Sequence, residues 1–311
     1  MSEQSAISWT DATWNPVTGC TKVSPGCANC YIERTPPFRM AGRRFVKGAI
    51  PVLLHPDRLD QPLRWRKPRR VFVCSLADLF HEDVPSAFIE DIWFTMNEAF
   101  QHTFQVLTKR PERRMRAILT NGHFRERVAG GGTWPLPNVW LGVSVENQRM
   151  ADERIPVLLD TPAAVRFLSC EPLLGPLSLE PYLPVTEHTS YKAARGCLKL
   201  NGLPRISWVI CGGESGPGSA KRKLVERCWH DTGGFYGDEH HGLQHSETEP
   251  LKEGDGSYHW CPKPQALEWV RSLRDQCVAA GVPFFFKQWG ATTPKAAGRL
   301  LDGREWDEMP L

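Results

Sequence analysis

Val139-Trp-Leu-Gly-Val-Ser-Val-Glu-Asn-Gln-Arg-Met-Ala-Asp-Glu-Arg-Ile-Pro-Val-Leu-Leu159, followed by Val165-Arg-Phe-Leu-Ser-Cys170, holds the pattern that decides the fold. Two short apolar runs, each ending in polar residues, enclose a segment, Asn147 to Leu159, that reads as a helix. Strand, helix and strand in that order make a parallel β-α-β unit. Outward from it the pattern recurs. Arg70-Val-Phe-Val-Cys-Ser75, Phe104-Gln-Val-Leu-Thr108, Ser207-Trp-Val-Ile-Cys211 and Pro283-Phe-Phe-Phe-Lys287 read as strands, and Ile7 to Trp14 as an earlier extended piece. Ser86 to Gln101 reads as a helix, with Ser86 as N-cap after Pro85 and Phe88, Ile89, Ile92, Met96 and Phe100 as its apolar positions. Pro111 to Leu119 and Pro264 to Ala280 read as further helices. Strands alternating with helices predict an α/β fold, a partial or complete (β/α) barrel with parallel strands.

The 311 residues suffice for a sizeable core and are expected to form one domain over residues 1–311. With 41% hydrophobic and 23% charged residues, a disordered chain is excluded. No apolar run is long enough for a membrane-crossing helix, so no membrane partner is expected. The opening MSEQSAISWTDATWN lacks a basic stretch followed by an apolar core, which predicts no signal peptide and a cytoplasmic location. Disulfides are rare there, so ten cysteines are expected to be core filler, metal ligands or redox groups. The net charge of +3 excludes a uniformly basic protein. Residues 34–70 nevertheless carry 11 Lys or Arg against Asp57 and Asp60, a local +9 with Phe38, Phe45 and Trp65 interleaved. Lys109, Arg110, Arg113, Arg114 and Arg116 form a second group. Such patches suit a polyanion, with aromatics to stack on bases, and equally a solvated basic face.

Cys74, Cys170, Cys197, Cys211, Cys228, Cys261 and Cys277 are scattered, whereas Cys20, Cys27 and Cys30 share one C-x6-C-x2-C stretch. Gly19, Pro25 and Gly26 predict a turning segment there rather than a helix or strand. Such a segment can curl three thiolates round one centre, and soft thiolates suit zinc or an iron–sulfur cluster. Structural zinc takes four protein ligands, and the nearest further Cys or His downstream is His55. Three ligands with one vacancy fit a 4Fe–4S cluster whose open iron binds a substrate or cofactor. A zinc site completed from afar is the alternative.

The strand ends are polar: Ser75-Leu-Ala-Asp78, Thr108-Lys-Arg110, Ser144-Val-Glu-Asn147, Ser169-Cys-Glu171, Gly212-Gly-Glu-Ser215 and Lys287-Gln-Trp289. Chemistry in (β/α) barrels gathers at the carboxyl ends of strands, so these ends in series read as the wall of one site. Caps and turns explain some serines, but not Lys109, Glu171, Glu214 and Lys287 together. Residues 221–263 break the alternation and read as an exposed insertion holding five of the ten histidines: His230, His240, His241, His245 and His259. Cys228, His230, His259 and Cys261 form near-mirror C-x-H and H-x-C pairs that suit zinc, against the plainer reading of a solvated loop.

A cysteine loop after a first strand, followed by an α/β barrel, resembles the radical S-adenosylmethionine enzymes, whose usual spacing is C-x3-C-x2-C. More closely, the chain resembles a phage-associated family of unknown function with a three-cysteine motif. That likeness rests on Trp14-Asn-Pro-Val-Thr-Gly-Cys20, Ser75-Leu-Ala-Asp-Leu-Phe-His-Glu-Asp-Val-Pro85, Leu107-Thr-Lys-Arg-Pro111, Trp140-Leu-Gly-Val-Ser-Val-Glu146, Phe167-Leu-Ser-Cys-Glu-Pro-Leu-Leu-Gly175, Trp208-Val-Ile-Cys-Gly-Gly-Glu-Ser-Gly216, Leu273-Arg-Asp-Gln-Cys277 and Phe284-Phe-Phe-Lys-Gln-Trp-Gly290. The family is in turn similar to spore photoproduct lyase, through the Ser75–Asp78 turn and Thr108-Lys109. Many radical enzymes carry an aromatic just before the last cysteine; here Asn29 stands there and Tyr31 follows.

The resemblance implies a barrel of the radical S-adenosylmethionine type and an enzyme of isomerase or lyase type. It implies that Cys20, Cys27 and Cys30 hold a 4Fe–4S cluster, with S-adenosylmethionine on the open iron. An electron donor such as flavodoxin or ferredoxin would then generate a 5′-deoxyadenosyl radical. From their positions, Ser75 and Asp78 are expected at the methionine end of that cofactor, and Ser144 and Glu171 at its ribose or amino group. Gly212 and Gly213 are expected to let the backbone approach the adenosine, with Glu214 as acceptor, and Lys109 to pair with a carboxylate or phosphate. The implied substrate is DNA or a modified nucleotide, in particular a modified thymidine tailored in phage DNA, with duplex DNA requiring base flipping. Two alternatives stand beside it: a DNA-lesion repair lyase using Cys74 or Cys170 to return hydrogen, and a zinc-stabilised nucleic-acid-binding module without catalysis.

Overall fold

A computed structural model describes residues 5–184, 205–216, 220–230, 257–294 and 296–310. The chain starts with β1 (Ala12–Trp14) and β2 (Val17–Thr21), then α1 (Pro36–Met40) and β3 (Ala49–Leu54). The repeating part follows: β4 (Arg70–Val73), α2 (Ser86–Glu98), β5 (Thr103–Thr108), α3 (Arg116–Leu119), α4 (Gly122–Ala129), β6 (Val139–Ser144), α5 (Gln148–Leu159), β7 (Val165–Cys170) and β8 (Trp208–Gly212). After β9 (Val225–His230) and β10 (Ser257–Pro262) come α6 (Pro264–Ala279) and β11 (Phe284–Gln288).

Seven strands form one sheet in the order β1-β4-β5-β6-β7-β8-β11, every neighbouring pair parallel. The order never reverses, so right-handed crossovers place the helices on one face. Side chains alternate across a strand. Val71, Val73, Val106, Leu141, Val143, Leu168, Val209 and Phe286 therefore face the helices, packing with Ile89, Ile92, Ile155, Leu158, Val270 and Leu273 in the main core. The opposite face carries Trp9, Phe72, Phe167, Trp208, Ile210 and Phe285. Trp9 lies 4.7 Å from the Phe72 ring on β4 and 6.3 Å from the Trp208 ring on β8. Those strands are four spacings apart, about 19 Å across a flat sheet, so the sheet curls round Trp9. β1 and β11 are the edge strands, and the outer side of β11 is bridged by the C-terminal segment at Asp307. The expected barrel is thus a partial one, a curled seven-stranded half-barrel with an aromatic plug.

Several sequence expectations shift. The cysteine segment was expected to be turns throughout, but Cys20 sits on β2, which pairs antiparallel with β3. Gly19 interrupts that ladder at φ 99°, where a Cβ would stand 2.1 Å from the Pro51 carbonyl oxygen. Ser86 belongs to α2 rather than capping it, and the helix ends before Phe100, which is 78% exposed instead of lying on the apolar face. The turn at Ala99 toward β5 carries Phe100 off that face. Pro111–Met115 is a wider turn of helix leading into α3, and α4 was not anticipated.

In the 221–263 segment, β9 and β10 pair antiparallel. The expected zinc site is corrected here: Cys228 and Cys261 are joined by a disulfide, Cα to Cα 6.0 Å. The ladder sets Cys228 opposite His259 and Cys261 opposite Glu226, which brings the two sulfurs together diagonally and removes both thiolates as ligands. His240, His241, His245 and Cys197 lie outside the described residues. Among the described residues no helix is long and apolar enough to cross a membrane.

Candidate functional site

The cysteine turns lie over the carboxyl-end rim of the half-barrel. Backbone contacts begin this placement: the Gly19 N–H donates to the Leu76 carbonyl at 3.0 Å, tying β2 to the turn after β4. Cys20 and Cys30 pack on an apolar cup of Ile32, Phe38 and Ile50, with Phe45 and Leu76 at its edge. Pro25–Cys27 makes one tight turn, and the Cys30 N–H closes the next on the Cys27 carbonyl at 3.2 Å. All three thiols are free and half-buried. Burial pushes the Cys20 thiol up to about 12, with Asp78, Cys27 and Cys30 adding to the rise and Arg110 opposing it. Burial also raises Cys30, against the Ile32 N–H and Lys109. The three cysteines thus sit close enough to act on one another's ionisation.

Two strand-end glutamates hold the turns down. Glu146, just past β6, is fully buried. One of its carboxylate oxygens accepts from the Gly26 N–H at 3.0 Å and the other from Arg154 Nη1 at 2.9 Å. Burial pushes this carboxyl up, but the Arg154 guanidinium, the Ser24 hydroxyl, Lys109 and the Gly26 N–H together hold it below the ordinary glutamate range. Glu214, past β8, accepts from Asn29 Nδ2 at 2.8 Å and from Arg222 Nη2 at 2.9 Å, and Arg222 Nη2 also donates to the Pro25 carbonyl at 2.8 Å. Lys22 Nζ donates to the Ala28 carbonyl at 2.8 Å, and the Tyr31 hydroxyl donates to the Ser75 carbonyl.

The rest of the rim is a chain of polar contacts. Asp78 accepts from the Thr108 hydroxyl at 2.8 Å, the Phe80 N–H at 3.0 Å and the Lys109 N–H at 2.9 Å, which fixes the ends of β4 and β5 together. The Ser75 hydroxyl donates to Asn15 at 3.2 Å. Lys109 Nζ donates to the Ser144 hydroxyl at 2.9 Å. Glu171 pairs with Lys287 at 3.1 Å, reaching from the end of β7 to β11 across β8. Gly212 on β8 makes that reach possible, since a Cβ there would stand 2.5 Å from Glu171 Oε1. At Gly213 a Cβ would meet the Trp289 carbonyl oxygen at 2.0 Å. The room at both glycines is therefore taken up inside the protein, by Glu171 and by the chain after β11.

The structure brings Cys20, Cys27, Cys30, Ser75, Asp78, Lys109, Ser144, Glu171, Gly212, Gly213 and Glu214 to one rim. Arg154, Arg222 and Asn15 were not singled out, while Glu146 was read only as part of a polar strand end and Asn29 only as a departure from the usual aromatic. Arg154 had a signal: it sits in the apolar stripe Met150, Ala151, Arg154, Ile155, Leu158 of α5, where a charge demands a buried partner. Cys74 and Cys170, considered as hydrogen-returning groups, are corrected: both are buried in the core that faces the helices. Cys170 shares that core with Cys211 and Cys277, and burial raises all three thiols.

Among the described residues no three His, Cys, Asp or Glu side chains converge as a ready-made metal site. Three free thiols in consecutive turns, those of Cys20 and Cys30 on one apolar cup, nevertheless offer the donor chemistry of an iron–sulfur cluster rather than of a hard cation.

A family model described as a protein of unknown function, DUF5131, matches residues 4–232 and 260–310. The stretch it skips lies inside the 221–263 segment. No curated protein is similar enough in sequence to count as a relative. Among solved structures, spore photoproduct lyase complexed with dinucleoside spore photoproduct aligns at 11% identity and TM-score 0.45, over 90% of this chain and 75% of that one. A cysteine-to-serine variant of that lyase aligns at 13% identity and TM-score 0.48, over 93% and 78% of the two chains.

Proposed function

This chain belongs to the DUF5131 family of proteins of unknown function, and from that premise we propose that it is a radical S-adenosylmethionine enzyme acting on a nucleobase in DNA. One observation carries the reading: three free thiols are collected over the carboxyl-end rim of a parallel half-barrel and tied there by two strand-end glutamates. In this reading Cys20, Cys27 and Cys30 hold a 4Fe–4S cluster. When bound, the cluster and S-adenosylmethionine supply the radical that removes an unactivated hydrogen.

The chain's own residues supply placement. Glu146 and Glu214 fix the turns that carry Cys27 and Cys30. Lys109, donating to Ser144 and opposing the rise that burial gives the Cys30 thiol, is assigned to a carboxylate or phosphate of cofactor or substrate. Glu171, held by Lys287, and Ser144 are assigned to polar groups of the cofactor. Ser75 and Asp78 are assigned instead to building the turn beneath Tyr31 and Lys109, because their polar atoms are engaged there. The finer reading is an isomerase or other tailoring enzyme on a modified thymidine in phage DNA, supported by the basic stretch of residues 34–70 and by the family resemblance.

Anaerobic reconstitution with iron and sulfide tests the reading. A brown protein that cleaves S-adenosylmethionine under reduction is expected, and Cys27→Ala should lose both colour and cleavage. A colourless protein holding one zinc, or cleavage that survives Cys27→Ala, overturns it.

A further inference from the structure

Arg34, Arg39 and Arg44 line one surface notch together with Glu33, on α1 and the turns flanking it, directly after Cys30. All three arginines are exposed. Two neighbouring cations are consumed by the fold. Arg43 donates to the Thr18 hydroxyl at 3.1 Å and the Pro51 carbonyl at 2.6 Å, and lies 4.6 Å over the Phe38 ring. Lys22 is bound to the Ala28 carbonyl and lies over Phe45. Arg39 and Arg44 are different: among the described residues their guanidinium groups have no hydrogen-bond or ion-pair partner. The one acid in the notch, Glu33, accepts from the Phe45 N–H at 3.2 Å.

Three guanidinium groups round one concavity, with a single carboxylate, leave an excess of planar N–H donors. Phosphate oxygens match that geometry through paired N–H···O bonds. The notch also touches the cysteine turns. Arg34 Nη2 donates to the Asn29 carbonyl at 3.2 Å, next to Cys30. Tyr31 lies between Cys30 and the notch residues along the chain, its carbonyl accepting from the Arg34 N–H at 2.9 Å and its hydroxyl anchored on Ser75, while the residue is 47% exposed. A ring fixed at one end and exposed beside a cationic notch is a stacking platform for a base. The notch lies on α1, outside the rim of strand ends, so a ligand filling both extends beyond one nucleoside.

We infer that the Arg34–Arg39–Arg44 notch binds a phosphodiester of a single-stranded polynucleotide, with a base on the Tyr31 ring and the adjoining nucleotide entering the rim. This rests on the reading of the rim as a nucleobase site and decides between polymer and free nucleotide. A double substitution, Arg39→Glu with Arg44→Glu, tests it by fluorescence anisotropy on a labelled single strand of about ten nucleotides, near the span of one single-strand site. The full chain is used both iron-free and reconstituted, beside a control with the same charge change on the helical face, Arg125→Glu with Arg149→Glu.

The notch variant should bind at least about tenfold more weakly than the control, and its salt dependence should flatten by about 0.7 for each phosphate that is no longer neutralised. Free mononucleotide should compete poorly with the strand. Oligonucleotide binding equal to the control overturns the inference, including the case in which the notch variant loses an acidic redox protein instead. Mononucleotide binding as tight as the strand overturns it as well. Cluster failure with this binding pattern intact would sink the proposed function and leave the notch assignment standing.

Discussion

The concave face of the half-barrel has two halves built from the same strands. Toward the amino ends it is a floor of rings: Trp208 lies 5.7 Å from Phe167, 5.9 Å from Trp140 and 6.1 Å from Phe285. Toward the carboxyl ends the same strands finish in Lys109, Ser144, Glu146, Glu171, Glu214 and Lys287. The floor excludes water and sets the curvature. Each charge named on the rim is answered, either by another strand end or by the cysteine turns. A curled sheet needs filling at one end only, and the other end is free to be polar provided its buried groups are paired. The rim's glutamates thus do two things at once, satisfying the barrel mouth and fastening a loop that brings thiols to it.

The sharpest way to break this contrast is at the floor. Trp208→Ala should cost about 4 kcal/mol, the range of large aromatic truncations in cores, seen as a large fall in the urea midpoint. Iron incorporation should fall only because the fold fails. At the rim, Glu146→Ala should cost about 3 kcal/mol, because Arg154, nearly as buried, loses its partner. Here the expected signature differs from the floor: near-native far-UV circular dichroism, with iron retention falling more than stability.

Arg222→Ala should be milder, about 1 kcal/mol or less, since that pair with Glu214 is partly exposed. Its effect should concentrate on the cysteine turns, read as faster iron loss to a chelator. Unchanged iron loss in both rim variants would show that the turns hold themselves.

The smallest effect is a pH dependence. Glu146 is held below the ordinary glutamate value of 4.5 in the folded protein. Its stabilising contribution is therefore complete above that pH and is lost as pH falls through the lower folded value. Chemical denaturation between neutrality and strongly acidic pH should show a shallower acid loss for Glu146→Gln than for the natural protein. Equal slopes would remove Glu146 from the acid response.

How much of this was legible beforehand follows from where each interaction lies along the chain. The strands at Arg70, Phe104, Val139, Val165, Trp208 and Phe284 were readable because alternation and polar endings are local patterns. The rim was readable as a set of polar strand ends, and Cys20, Cys27 and Cys30 as a group, for the same reason. The helix end near Phe100 was misread because apolar spacing continues past the point where the chain turns toward β5. The zinc site was misplaced because C-x-H and H-x-C spacing cannot tell which atoms a hairpin register brings together. In that hairpin it was sulfur with sulfur.

By itself, then, the sequence determined an α/β chain of alternating strands and helices, a cysteine cluster and a row of polar strand ends, since each is written in short-range periodicity. Only the tertiary structure decided that the sheet curls without closing, that Gly212 makes room for Glu171 to reach Lys287, and that the cysteine turns are fastened by glutamates 120 and 185 residues away. It also decided which arginines among the described residues stay unpaired. Those outcomes depend on which distant groups meet once the half-barrel has formed, and residue spacing along the chain carries no record of that meeting.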